Sequence, residues 1–122
     1  MTCIFCHIPK DRIILSNDRA VAIFDRYPVN PGHMLIIPKR HFDDFFDASD
    51  EEIQSITELV RLCRELLDKT YHPDGYNIGV NCGRVAGQTV MHMHVHLIPR
   101  YTGDVEDPKG GVRGVIPEKR IY

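Results

Sequence analysis

Three histidines, His92, His94 and His96, recur with period two in the run from Gly87 to Arg100. A β-strand sends successive side chains to opposite faces, so this period places the three imidazoles on one face and Met91, Met93, Val95 and Leu97 on the other. A helix would set residues two apart about 200° from each other around its axis and scatter the imidazoles. The spacing therefore predicts a half-buried strand over 87–100, with polar chemistry on one side and core on the other.

Such a row has three readings, and each asks something different of its neighbours. It can be a hydrogen-bonded polar face with no chemistry. It can hold a hydrolytic zinc, in which His-x-His pairs bind a metal that acidifies water. His33 or His41 could complete that site, although the strand carries no carboxylate to act as base. Or one neutral imidazole can attack phosphorus and be released again by water. His94, flanked two residues away on both sides, is then the nucleophile, and backbone N–H groups of Gly87-Gln88-Thr89 can surround the phosphate oxygens.

A second set of residues able to do chemistry opens the chain: Cys3-Ile4-Phe5-Cys6-His7. It matches half of a zinc site, the CxxCH pattern of covalent haem attachment, or two thiols with no ligand. Haem attachment asks for export and a helical domain, and the stretch up to Pro38 is not helical in pattern. Four cysteines in all, Cys3, Cys6, Cys63 and Cys82, suit a reducing compartment, where pairs mean metal or packing before disulfides.

The elements that must position these residues follow from patterning. Arg12–Leu15 and Arg19–Asp25 are apolar runs separated by Ser16-Asn17-Asp18, a hairpin. Tyr27-Pro28-Val29-Asn30-Pro31-Gly32 is turn chemistry leading into a third strand, 33–38, with His33 at its mouth. Lys39-Arg40-His41 follows, and Phe42–Phe46 is a short turn or helix. Ser49 with Glu52 three residues on is a capping box, and Ile53, Ile56, Leu59, Val60, Cys63, Leu66 and Leu67 recur at three and four, so one long helix runs to His72-Pro73. Cys63 lies on its apolar stripe as a packing thiol. Tyr76, Ile78, Val80 and Cys82 alternate with Asn77, Gly79 and Asn81 as a fourth strand. Pairing it antiparallel with the histidine strand brings Asn81 near the histidine face.

The 122 residues fit a single domain spanning 1–122, with an irregular tail from about residue 103. A composition of 43% hydrophobic and 26% charged residues, at a net charge of -2, is that of a globular chain with no basic excess to hold nucleic acid. No apolar run approaches the roughly 20 residues of a membrane span and the N-terminus has no signal pattern, so no membrane partner and a cytoplasmic location are expected.

Taken with their neighbours, these residues resemble the histidine triad (HIT) superfamily of nucleotide hydrolases and transferases. His92-Met93-His94-Val95-His96-Leu97-Ile98 is similar to its signature, Gly87-Gln88-Thr89-Val90 to the segment ahead of it, and Pro31-Gly32-His33 with Pro38 to its upstream histidine strand. The resemblance covers most of residues 3–101. It implies an α+β fold, a five-stranded antiparallel sheet with one long and one short helix, and a homodimer. It implies cleavage at the α-phosphate of a dinucleoside polyphosphate or nucleoside phosphoramidate through a nucleotidyl-histidine at His94, with a purine nucleotide or nucleotide conjugate as ligand. His33 and His96 would hold the α-phosphate, Asp25 the ribose, and Asn81, Gln88 and Thr89 the phosphate or leaving group. Cys3, Cys6, His41 and His92 would bind a structural zinc, with no organic cofactor. The CxxC resembles the phosphoramidase-like members, and Thr89 with the Pro99–Asp104 region leans toward the fragile-histidine-triad branch. A non-catalytic, zinc-stabilised nucleotide-binding module and a His-rich metallo-hydrolase are the alternatives.

Overall fold

A computed structural model describes residues 3–122. Five strands, β1 (Ile13–Ser16), β2 (Ala20–Phe24), β3 (Met34–Pro38), β4 (Gly75–Gly79) and β5 (Val95–Arg100), form one sheet in the order β1-β2-β3-β5-β4. Every neighbouring pair is antiparallel. One long helix, α1 (Asp50–Tyr71), packs on a single face of it. The expected short helix is only a 3-10 turn, Phe45–Asp47, and after Arg100 the chain holds single-turn segments at Gly111–Val115 and Pro117–Lys119.

The core explains which strands are central. Ala20, Ala22, Met34, Ile36, Met93, Val95 and Leu97 meet Ile56, Leu59, Cys63 and Leu67 of α1. Val21, Ile23, Leu35 and Ile37 form a second cluster on the opposite face, covered by Phe5, Ile8 and Ile13. Strands β2 and β3 are thus buried on both sides, which is why they read as continuous apolar runs and not as alternation. In β5 the alternation survives: His96 lies opposite Leu35 across the ladder and so shares the face turned away from α1. Burial pushes the Cys63 thiol up to about 12, in keeping with a packing role.

Helix α1 starts where the capping box puts it. The Ser49 hydroxyl accepts from the Glu52 N–H at 3.1 Å, and the Glu52 carboxylate accepts from the Ser49 N–H at 2.9 Å. The same carboxylate, with a side chain 5% exposed, takes two bonds from the Arg40 guanidinium at 2.8 and 3.0 Å. Arg40 holds the Glu52 carboxyl at about 2, far below its usual range. Its contribution to stability is therefore complete above about pH 4.5 and is lost as pH falls toward 2. Glu52→Ala removes the back-bond of the cap and the partner of Arg40, which is 56% exposed and returns to water, and urea unfolding near pH 7 should show a loss of roughly 1–2 kcal/mol.

Two strands are shorter than their patterns suggest. The fourth stops at Gly79, before Val80–Cys82. The histidine strand begins at Val95, not at residue 87. Beyond Ile36, β3 ends in Pro38, whose nitrogen has no hydrogen to donate. Its carbonyl is taken by the His92 ring at 2.8 Å, and the Met93 N–H goes to the Phe42 carbonyl at 2.9 Å. The ladder cannot continue, and the chain bends just where His92 and His94 sit.

Candidate active site and metal centre

That bend divides the three histidines. His92 and His94 lie on the irregular approach to β5, and only His96 is in the strand. Their rings form a row continued by two others: His41 to His92 at 4.9 Å between centroids, His94 to His96 at 5.2 Å, and His96 to His33 at 5.2 Å. Phe5 stands edge-on between the two halves, 6.1 Å from His92 and 5.0 Å from His94.

Hydrogen bonds fix where each ring carries its proton. A carbonyl can only accept, so His94 donates from Nδ1 to the His92 carbonyl at 2.8 Å, which leaves Nε2 with a lone pair. In His33, Nδ1 accepts the Val29 N–H at 3.0 Å, so the proton is on Nε2. Nε2 faces Nδ1 of His96 at 3.0 Å and the Asp25 carboxylate at 3.4 Å. His96 accepts at Nδ1 and so carries its own proton on Nε2. The result is an acceptor, His94, beside a donor, His96. A nucleophile and a stabiliser of phosphate charge require that complementary pair.

Burial, and then the neighbouring His94 and His33, push His96 down to about 4; burial also lowers His33, against the pull of Asp25. Both rings are neutral near pH 7, as the proton inventory requires. An unfolded histidine titrates near 6.5, so the unfolded chain gains a proton at His96 that the folded chain refuses. The stability contributed by this refusal is fully present above about pH 6.5 and declines as pH falls to about 4. Urea midpoints measured at pH 7 and 4.5 should separate, and His96→Gln should shrink that separation by roughly 2–3 kcal/mol.

His94 and His96 open into a cavity of about 620 Å³. Asp25, Asn81 and Thr89 line it too, as does Gly87, whose φ of +100° suits glycine. Asp25 is fixed in place: it accepts the Tyr27 N–H at 2.9 Å and its own N–H bonds the His33 carbonyl. The other wall, Ile4, Phe5, Ile23 and Leu35, is apolar, with Arg12 and Arg26 at its edge. Sequence patterning had no signal for this wall beyond Phe5 lying inside the CxxC. Arg12 is anchored by a bond to the Phe24 carbonyl at 3.3 Å.

Two expected contact residues are placed differently. His33 is buried and does not line the cavity; it reaches the site through His96. Gln88 is 3% exposed, and its carboxamide is spent on backbone: it accepts the Gly83 N–H and donates to the carbonyls of Asp43 and Val90. It pins the loop that carries Gly87 and Thr89, because a buried amide must satisfy its own bonds first.

Cys3, Cys6, His41 and His92 come together from three parts of the chain. Nδ1 of His92 lies 3.4 Å from the Cys3 sulfur, 3.5 Å from that of Cys6 and 3.1 Å from Nδ1 of His41, which is 3.3 Å from the Cys6 sulfur. A tetrahedral zinc with bonds of about 2.0–2.3 Å sets its ligand atoms roughly 3.3–3.8 Å apart, so the set fits with slight expansion. The His92 tautomer fits as well. Nε2 donates to the Pro38 carbonyl, which turns the lone pair of Nδ1 toward the sulfurs.

The HIT domain family model matches residues 8–103. An uncharacterized HIT-like protein of Methanocaldococcus jannaschii is 42% identical over 113 residues, covering 89% of this chain and 87% of that one. The adenosine 5'-monophosphoramidase hnt1 of Schizosaccharomyces pombe is 38% identical over 104 residues, 82% of this chain and 75% of its own. Among solved structures, a zinc-bound histidine triad family protein from Mycobacterium smegmatis superposes with a TM-score of 0.77 at 32% identity, covering 87% of this chain and 80% of that chain.

Proposed function

Because this chain belongs to the HIT domain family, we propose that it is a nucleotide hydrolase cleaving at the α-phosphate of a nucleoside phosphoramidate or dinucleoside polyphosphate. The observation that carries this is the His94 tautomer: Nδ1–H is committed to the His92 carbonyl, so the lone pair of Nε2 serves the cavity. Nε2 attacks phosphorus and forms an N–P bond while the bond to the leaving group breaks. The His92 carbonyl stabilises the ring as it becomes cationic, and Nε2–H of His96 donates to a phosphate oxygen. Thr89 supplies its hydroxyl as a hydrogen-bond donor toward the leaving group, which takes a proton from solvent as it departs. Water then attacks the same phosphorus, the N–P bond breaks, and a nucleoside monophosphate is released.

Asp25 sits where ribose hydroxyls can bond its carboxylate, Asn81 offers a carboxamide to the phosphate, and Ile4, Phe5, Ile23 and Leu35 take the purine ring. His33 acts by fixing His96, and Gln88 by fixing the Thr89 loop. A zinc held by Cys3, Cys6, His41 and His92 belongs to the same reading, supported by the donor set and its spacing. When bound, such an ion is closed by four protein ligands and supplies cross-linking, not activation of water. A homodimer is proposed as well. The outer strand β4 carries Ile78 53% exposed, a surface that a second copy would cover. The chain is read as one cytoplasmic domain; no helix among the described residues is long and apolar enough to cross a membrane.

The test is to mix the protein with adenosine and guanosine phosphoramidates and diadenosine polyphosphates, quench within milliseconds without acid, and map adducts by mass spectrometry. A nucleotidyl group on His94 is expected. Turnover with the label on another residue, or with no labelled histidine at any quench time, would overturn the mechanism.

A further inference from the structure

The metal-binding set and the substrate cavity share a wall, and we propose that metal binding and nucleotide binding are energetically coupled through Phe5. The inference rests on the nucleotide reading given above. Phe5 lies between the two cysteines in sequence, and the turn that holds them is closed by a Cys6 N–H to Cys3 carbonyl bond of 3.1 Å, so ring and sulfurs sit on one turn. Its ring packs on the cluster of Val21, Ile23, Leu35 and Ile37, lines the cavity, and meets the His94 ring edge-on at 5.0 Å. Ile4, the neighbouring wall residue, is 62% exposed.

Residues 3–7 belong to no strand or helix. What ties this loop to the rest of the fold is the packing of Phe5 and Ile8 together with the two sulfurs, which face rings 35 and 89 residues away in sequence. A metal would turn those sulfur contacts into bonds and hold the Phe5 wall in place. A nucleotide arriving at the metal-free chain must order that wall itself, and this cost lowers its affinity. His92 adds a second link, since its ring faces the sulfurs while its carbonyl holds the proton of His94. Coupling between two binding events is reciprocal, so the nucleotide must tighten metal binding by the factor by which the metal tightens nucleotide binding.

The experiment measures zinc affinity by competition with a chromophoric chelator, with and without saturating AMP or GMP, and measures the same nucleotides by calorimetry on zinc-loaded and stripped protein. In the wild type, both factors should agree and reach about ten-fold or more. Phe5→Ala keeps all four ligands but loses the packing that anchors their loop, so its zinc affinity without nucleotide should fall, while the ratio of zinc affinities with and without saturating nucleotide should drop below about two-fold. Phe5→Leu, which keeps apolar bulk, should retain an intermediate factor. Circular dichroism of each stripped protein tracks folding. If stripping unfolds the chain, an undiminished coupling in Phe5→Ala would assign the linkage to global folding and overturn the proposal. Equal zinc affinity with and without a nucleotide that binds the loaded wild type overturns the coupling alone. If neither nucleotide binds the zinc-loaded protein, the functional reading falls and this inference with it.

Discussion

Replacing His94 with alanine is expected to lower turnover by about ten-thousand-fold or more while nucleotide affinity stays within roughly ten-fold. The asymmetry follows from geometry. His94 contributes one edge of the cavity, but the apolar wall, Asp25 and Asn81 come from other elements and survive its loss. Its two neighbours in the histidine row cannot take over the N–P bond. The lone pair of His96 on Nδ1 is taken by His33, and that of His92 is turned to the sulfurs. Alanine also leaves the His92 carbonyl without its partner, a cost of about 1 kcal/mol that circular dichroism and a modest shift in melting temperature would register. Single-turnover rates beside calorimetric affinities make the test. A His94→Ala protein with a near-normal rate would remove the nucleophile from its place.

Removing the metal should produce the largest change in stability. Chelation of the zinc-loaded protein near pH 7 is expected to lower the melting temperature by roughly 10–20 °C, equivalent to about 3–5 kcal/mol, because a cross-link between the N-terminal loop and the β5 approach is lost. His92→Ala should match or exceed this effect and His41→Ala should fall below it. His92 is fully buried and also serves the Pro38 carbonyl, whereas His41 is exposed and gives up its ligand bond alone. In the stripped protein the rate at saturating nucleotide should remain within a few-fold of the loaded one, since no phosphorus chemistry passes through the four-ligand site. A hydrolytic metal would instead take the saturating rate to background. Differential scanning calorimetry and full saturation curves on the same samples separate the two outcomes.

Much of the fold was legible in residue order. The start of α1 was written in Ser49 and Glu52, and Ile56, Leu59, Val60, Cys63 and Leu67 of its stripe meet the sheet. The hairpin at Asn17 and the turn before His33 were legible for the same reason: local chemistry decides local conformation, as where the Asn17 side chain accepts from the N–H groups of Arg19 and Ala20. Strand ends were less so. Val80–Cys82 and 87–94 alternate as strands do, yet pairing needs a partner with free N–H and C=O groups, and the partner available to the second segment terminates at Pro38.

The period-two histidines and the paired cysteines determined by themselves which donors exist, because residue type and spacing set that, while leaving a polar face, a metal site and phosphorus chemistry all open. Tertiary structure alone decided how the work divides. The backbone bend before Val95 carries His92 to Cys3, Cys6 and His41, the Pro38 carbonyl selects which of its nitrogens faces them, and the His92 carbonyl selects the nitrogen of His94 that meets the cavity. Gln88 and His33, polar residues that invite a substrate contact, turned out to spend their bonds within the protein. A hydrogen bond between groups dozens of residues apart leaves no trace in spacing, and it is these bonds that give three histidines of equal spacing three different settings: His92 against the sulfurs, His94 with a free nitrogen at the cavity, His96 against His33.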